Sequence, residues 1–416
     1  MAQHPFLKSI RPVNLLSFGP NTEEIDLKPL NILIGPNGSG KSNLIEIIGL
    51  LGKLPERDPW TKVRETGGAR EWVYKGKNSN HPEPSFCVKA TGQKYSVDEE
   101  IASFDSDEIV EKPIQYSITL REQGGAFEVQ KEHFHELDRW ENDKVQNGWI
   151  ERNEIAGQIH RSTLQYDSPN DSFSVPPHRS MLSMLGGSNI SPNVVYLIRK
   201  FIDGIERFAF YRDWNFGSGF TARMPISAGQ PADGLLENAS NLAQLLARYQ
   251  SDFRPTFDLI NELMKRFYEP IKSVEVRIVS THLQVAIQEE GGFSTPAYRL
   301  SDGTLRWLAL LAILLNPTPA PITCIEEPEL GLHPDAIHVL ADLLVEASTR
   351  TQLIVTTHSD ALLDAFTDTP EVVCVCEKVE GSTVIRRLDK EQLKIWLKDY
   401  SLGHLWMSGE IGGNRW

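Results

Sequence analysis

The sequence predicts an α/β fold, with a mainly parallel sheet flanked by helices, an antiparallel β lobe and a compact helical insertion. Three observations carry this. An apolar strand enters a glycine-rich loop and then a helix-periodic run at residues 30–51. Short apolar strands alternate with helical segments from 301 to 388, the order that implies parallel pairing with both faces covered. Residues 112–130 and 271–289 each read as two alternating runs, the pattern of a hairpin.

Taken in order, IRPVNLLSF, GPNTEE and IDLKPLNILI give strand, turn and strand, and apolar positions 44, 45, 47, 48 and 51 recur at helical spacing. Residues 55–79 are polar and irregular. A Gly-Gly turn joins KPIQYSITL to AFEVQ. Residues 131–250 hold polar stretches, with helical pattern near 193–208 and 235–250, and no sustained heptad that would build a coiled-coil arm. After 301 the order is helix, strand Pro321–Ile325, helix Pro334–Ala347, strand Gln352–Thr356, helix 360–366 and strands near 371–377 and 382–388. The expected units are residues 1–130 and 266–416, two parts of one head, with an insertion of mixed, helical character at 131–265.

Chemistry enters at Gly35-Pro36-Asn37-Gly38-Ser39-Gly40-Lys41-Ser42, which fits G-x-x-x-x-G-K-[ST]. Glycines let successive backbone N–H groups turn inward around phosphate oxygens, and the following helix aims its positive end at the same anion. Lys41 is placed to reach the β- and γ-phosphates, and the Ser42 hydroxyl to ligate Mg²⁺. The strand NILI before the pattern and the helix after it supply the required context. The fold class narrows to a P-loop NTPase.

The strand Pro321–Ile325 ends in Glu326 and Glu327. Strand side chains alternate faces, so the two acids take different roles at the carboxyl edge where open sheets bind ligands. Glu326 is assigned to the metal and Glu327 to the base that deprotonates water. His358, 31 residues after Glu327, follows the next predicted strand, where imidazole can hydrogen-bond a γ-phosphate.

Composition bounds the rest. Lys plus Arg is 42 against 56 Asp plus Glu, a formal charge of −14, so no global attraction to phosphate backbones exists. Seven cations between Lys53 and Lys77 are diluted by Glu56, Asp58, Glu65 and Glu71, reading as a solvated mixed face. The longest apolar run, Trp307–Leu315, is nine residues, too short to span a bilayer. With no signal segment and four scattered cysteines, a cytoplasmic protein with reduced thiols is expected, and Cys374 and Cys376 read as buried free thiols on one strand face.

Together these motifs resemble the ABC-type ATPase superfamily, in the branch holding RecF, SMC heads and OLD-family ATPases. The resemblance rests on GPNGSGKSN with its trailing Asn43, on Leu300-Ser301-Asp302-Gly303-Thr304, on IEEPELGLHP and on Thr356-Thr-His-Ser359. The ending, Asp399-Tyr-Ser-Leu-Gly-His-Leu-Trp through Trp416, is similar to that of stand-alone bacterial members. It covers residues 8–50 and 295–416. It implies a Mg-dependent ATPase in which ATP is held between two heads, so that Ser301, Asp302 and Gly303 of one subunit cap the γ-phosphate held by Lys41 of the other. An ATP-dependent homodimer follows, with DNA or a separate effector protein as further candidate partners. Ser301 also suits a helix N-cap, a compatible role.

Asp302 and Thr304 stand where LSGGQ has Gly and Gln, Glu326 stands where Asp is usual, and no glutamine between Ser42 and Leu300 has the context of a Q-loop. The 257 residues between Ser42 and Leu300 disfavour a transporter subunit, and the 58 after His358 leave no room for a Toprim nuclease. The implied work is genome maintenance, with an anti-phage ATPase that recruits an effector as the alternative.

Overall fold

The computed structural model describes residues 5–76, 83–91, 94–96, 109–111, 113–139, 142–152, 159–160, 175–184, 192–212, 216–217, 219–227, 229, 231–267 and 270–413. Its centre is a six-stranded sheet in the order Ala209–Tyr211, Ile322–Glu326, Gln352–Thr356, Leu30–Ile34, Val373–Val379 and Ser382–Arg387. The first five strands are parallel and the last is antiparallel. Helices Lys41–Lys53, Asp302–Leu314 and Pro334–Ala347 follow the expected strands and turns.

The period-2 alternation of these strands divides the molecule into two cores. Ile32, Ile34, Ile325, Leu353, Val355, Val373 and Val375 face one cluster, which includes Leu305 and Trp307–Leu314 of the helix Asp302–Leu314. Leu33, Ile322, Cys324, Ile354, Cys374 and Cys376 face the other, with Leu44, Ile45, Ile47 and Ile48 of the helix after the glycine loop. A strand with both faces covered reads as an unbroken apolar run, which is what NILI, ITCI and LIVT are. Cys374 and Cys376 are buried free thiols, as expected.

The second core is closed by a seven-stranded antiparallel sheet, ordered Ile159–His160, Asn142–Arg152, Ala126–Arg139, Ile114–Gln123, Ser85–Ala90, Leu7–Val13 and Ile25–Asp26. This lobe is larger than patterning implied. Strands Ala126–Arg139 and Asn142–Arg152 run well past residue 130 into the stretch read as mixed and helical. Their alternation is masked because polar residues fill even inward positions, Glu132 being buried and held by Tyr116, Ser180 and the Met181 amide. Helices Pro192–Ile205, Leu242–Asp252 and Arg254–Phe267 supply the helical character of the middle of the chain. A smaller antiparallel sheet contains the expected hairpin, Ile271–Val279 and His282–Glu289. Among the described residues no helix is long and apolar enough to cross a membrane.

Candidate active site

Register brings the expected residues to one edge of the central sheet. Glu326 pairs with Thr356, and Thr356 with Leu33, across three adjacent parallel strands. Neighbouring strands lie about 4.8 Å apart, so the strand carrying the acids and the strand feeding the glycine loop are only about 10 Å apart. The ladder continues beyond the strands, with Glu327 N donating to Thr356 O (2.9 Å) and Thr357 N to Leu33 O (3.1 Å). Glu326, Glu327, Thr357, His358 and Gly35 therefore emerge side by side at the carboxyl ends, where parallel sheets bind ligands.

The loop has the build of an anion cradle. Gly35 and Gly40 have φ of +145° and +107°, and a Cβ added to either would lie 2.2 Å from a neighbouring oxygen, Cys376 O or Thr383 Oγ1. Gly38 has φ +78° and a Cβ there would meet nothing, so at this position it is the backbone turn that favours glycine. Ser39 N closes the turn on Pro36 O, at 3.1 Å. Lys41 is buried, and its ammonium donates to Gly35 O (2.7 Å) and Pro36 O (3.2 Å), holding the charge over the loop. Ser42 is exposed in the first turn of the 13-residue helix Lys41–Lys53. Asn43 fixes the loop from behind through Ser17 Oγ, at 2.7 Å, which also accepts from Thr383.

The two acids diverge, the strand ending at Glu326 and the backbone turning left-handed at Glu327. Glu326 turns toward Arg212, whose Nε donates to Glu326 Oε1 at 3.0 Å, while Nη1 donates to Glu46 Oε1 at 3.2 Å. Burial works against the guanidinium's charge, but Glu326 and Glu46 outweigh it and raise the pKa of Arg212. Glu327 sits at φ +46°, a left-handed conformation that costs a non-glycine residue about 1 kcal/mol, and its carboxylate lies 3.8 Å from His358 Nε2.

Arg212, Glu329, Arg306 and Arg223 were not singled out by sequence reasoning. Glu329 Oε1 accepts from Thr357 Oγ1 (2.6 Å) and from His358 N (3.1 Å), fixing the backbone that presents the histidine. Its Oε2 is buried without a hydrogen-bond partner. Burial raises the Glu329 pKa, opposed by the bonds from Thr357 and His358 and reinforced by Glu327. Arg306 donates to Leu330 O, and its pKa is lowered by burial against the pull of Glu329, Glu327 and Asp302.

The turn Ser301–Gly303 is anchored elsewhere. Ser301 caps the helix Asp302–Leu314, its Oγ accepting from Thr304 N at 3.1 Å, as expected of an N-cap. Asp302 pairs with the buried Arg223, which also donates to Ala297 O (3.1 Å) and Leu300 O (2.7 Å). Gly303 packs against the segment after the acids, where a Cβ would lie 2.6 Å from Gly331 O. Ser301 and Asp302 remain exposed, facing outward from their own head.

The residues fit a nucleotide with its magnesium. The cradle and Lys41 would hold the phosphates, and Ser42 and Glu326 would serve the ion, which supplies charge neutralisation on the β- and γ-oxygens. Among the described residues no group of three or more His, Cys, Asp or Glu could hold a metal. Magnesium in such sites takes most of its ligands from phosphate and water, so the ion would come with its nucleotide.

A family model described as "AAA domain, putative AbiEii toxin, Type IV TA system" matches residues 30–364. No curated protein matches. Among solved structures, the chain is similar to an SMC head bound to the C-winged helix domain of ScpA: 15% identity, 94% of this chain and 100% of that one, TM-score 0.51. It is also similar to the Pyrococcus furiosus SMC head with an extended coiled coil bound to the C-terminal domain of ScpA: 13% identity, 95% and 99% coverage, TM-score 0.50. At these identities the likeness establishes the fold alone, an ABC-type P-loop head. With the family model spanning most of the chain, and the phosphate loop and acidic strand inside the matched range, the chain belongs to this AAA-domain family of nucleotide-binding, NTP-hydrolysing proteins.

Proposed function

We propose that the chain is a Mg-dependent ATPase that closes into a homodimer around ATP, with Lys41 and Ser42 of one head facing Ser301, Asp302 and Gly303 of the other. The carrying observation is the divergence of two acids at one sheet edge, Glu327 toward His358 and Glu326 toward Arg212. Glu327 then orients and deprotonates water, His358 hydrogen-bonds the γ-phosphate, and Glu326 serves the ion, directly or through water. The exposed Ser301–Gly303 turn supports a capping role in trans. A helix N-terminus already occupied by its own N-cap still offers N–H groups and a positive end to an anion.

Glu327→Gln tests the reading. Binding should survive, turnover should fall by about 10²-fold or more, and ATP should shift the variant to a dimer on a sizing column with light scattering. A variant that stays monomeric with ATP contradicts the sandwich.

For the process served, we propose a role in a defence or toxin–antitoxin pair ahead of a RecF/OLD-type role in DNA repair, a reading supported by the family's description as a putative AbiEii toxin of a type IV system. Charge points the same way. Of the described cations in the stretch from Lys53, Lys53, Arg64, Arg70 and Lys75 sit in pairs with Glu56, Asp58, Glu122 and Glu71, which weakens the attraction of this stretch for a phosphate backbone. Salt-sensitive retention of DNA by the ATP-bound Glu327→Gln dimer would reverse this preference.

A further inference from the structure

We propose that Arg212 is a positioning residue that competes with the nucleotide's divalent cation for the Glu326 carboxylate, and so sets how much cation the site requires. The inference rests on reading Glu326 as the acid that serves the ion.

Arg212 follows the three-residue strand Ala209–Tyr211, which lies parallel to the acid-bearing strand with Tyr211 opposite Ile325. That places its side chain at the same carboxyl edge as Glu326. The guanidinium bridges Glu326 and Glu46, the latter from the helix that follows the phosphate loop. All three side chains are largely buried, with exposures of 14% for Arg212, 21% for Glu46 and 19% for Glu326. The group is a carboxylate pair sharing one cation, so it carries one net negative charge in a poorly solvated place. A planar fork can satisfy both acids at once, which an ammonium cannot do with the same geometry. Such a bridge is poorly screened by salt, and it occupies an oxygen that a cation would use.

Two consequences of opposite sign follow. Removing the guanidinium leaves Glu326 uncompensated and more attractive to a cation. Removing Glu46 leaves Arg212 with Glu326 alone, tightening the pair and making the oxygen harder to win. General damage to the site would weaken cation binding in both cases.

The test is the free Mn²⁺ concentration that half-saturates the full-length protein with a non-hydrolysable ATP analogue, read by Mn²⁺ paramagnetic resonance, with circular dichroism confirming the fold. Arg212→Gln should lower it about tenfold and Glu46→Gln should raise it several-fold. Glu326→Gln should raise it and abolish the effect of Arg212→Gln in the double variant. An unchanged value in Glu326→Gln would overturn the assignment of Glu326 to the ion. A value altered in Glu326→Gln but unchanged or raised in Arg212→Gln would overturn the competition while leaving that assignment standing. Should Arg212→Gln fail to fold, an unchanged or lowered value in Glu46→Gln overturns the competition by itself.

Discussion

Glu329 shows how one buried carboxyl can fix the loop that presents His358. It holds the Thr357 hydroxyl and the His358 amide, while its second oxygen is buried and unpaired. Burial is the main reason its pKa is raised, so the folded protein holds this proton more tightly than the unfolded chain does. The sign follows from linkage: the stability contributed through Glu329 is present at low pH and declines as pH rises from about 4, the ordinary glutamate value, through the raised one. Glu329→Gln keeps an oxygen for both donors and cannot ionise. Denaturant titrations from pH 4 to pH 8 should therefore show the variant gaining on the parent as pH rises. Parallel pH profiles would contradict a raised pKa. Glu327 illustrates a different strain, because its left-handed backbone is bonded to Thr356 O on one side and aimed at His358 on the other. Strain of this kind persists where neighbours over-determine a conformation, as they do at working sites.

At the scale of elements, the helix Asp302–Leu314 packs closely on the loop around Gly331, which links the outward turn to the acidic strand. Gly303→Ala would drive a methyl into a backbone carbonyl, which cannot swing aside as a flexible side chain can. It should cost about 1–3 kcal/mol in unfolding free energy and weaken ATP-dependent association while leaving nucleotide binding by a single head intact. Unchanged association by light scattering would show that this packing is not what presents the turn. The same scale explains what could be read in the sequence. The glycine loop, the strands ending at Glu326 and Thr356 and the helix Pro334–Ala347 were legible because their signals are local: glycine spacing, apolar runs and a proline at the helix start. Arg212 was not, because the strand it follows is three residues long and pairs with residues more than 110 positions later. The lobe strands beyond residue 130 were hidden by buried polar residues such as Glu132 and Arg152, which form a network of their own instead of an apolar stripe.

Across the whole molecule, two cores share one sheet, and every expected nucleotide-binding residue except Ser301, Asp302 and Gly303 gathers at its carboxyl edge. Those three sit at the N-terminus of a buried helix, with Asp302 held by Arg223, and under the proposed sandwich each head would present half of a site and hold the other half. An isologous pairing about a two-fold axis, with each loop facing the partner's turn, would complete two such sites at once. The most direct test mixes two inactive variants, Lys41→Ala, which loses the phosphate grip, and Ser301→Arg, which blocks the outward turn. Each alone should lack ATPase activity. Their mixture should regain it, because a mixed dimer contains one intact phosphate loop facing one intact turn. A mixture as inactive as its components, with mixed dimers demonstrated, would contradict an active site shared between two heads.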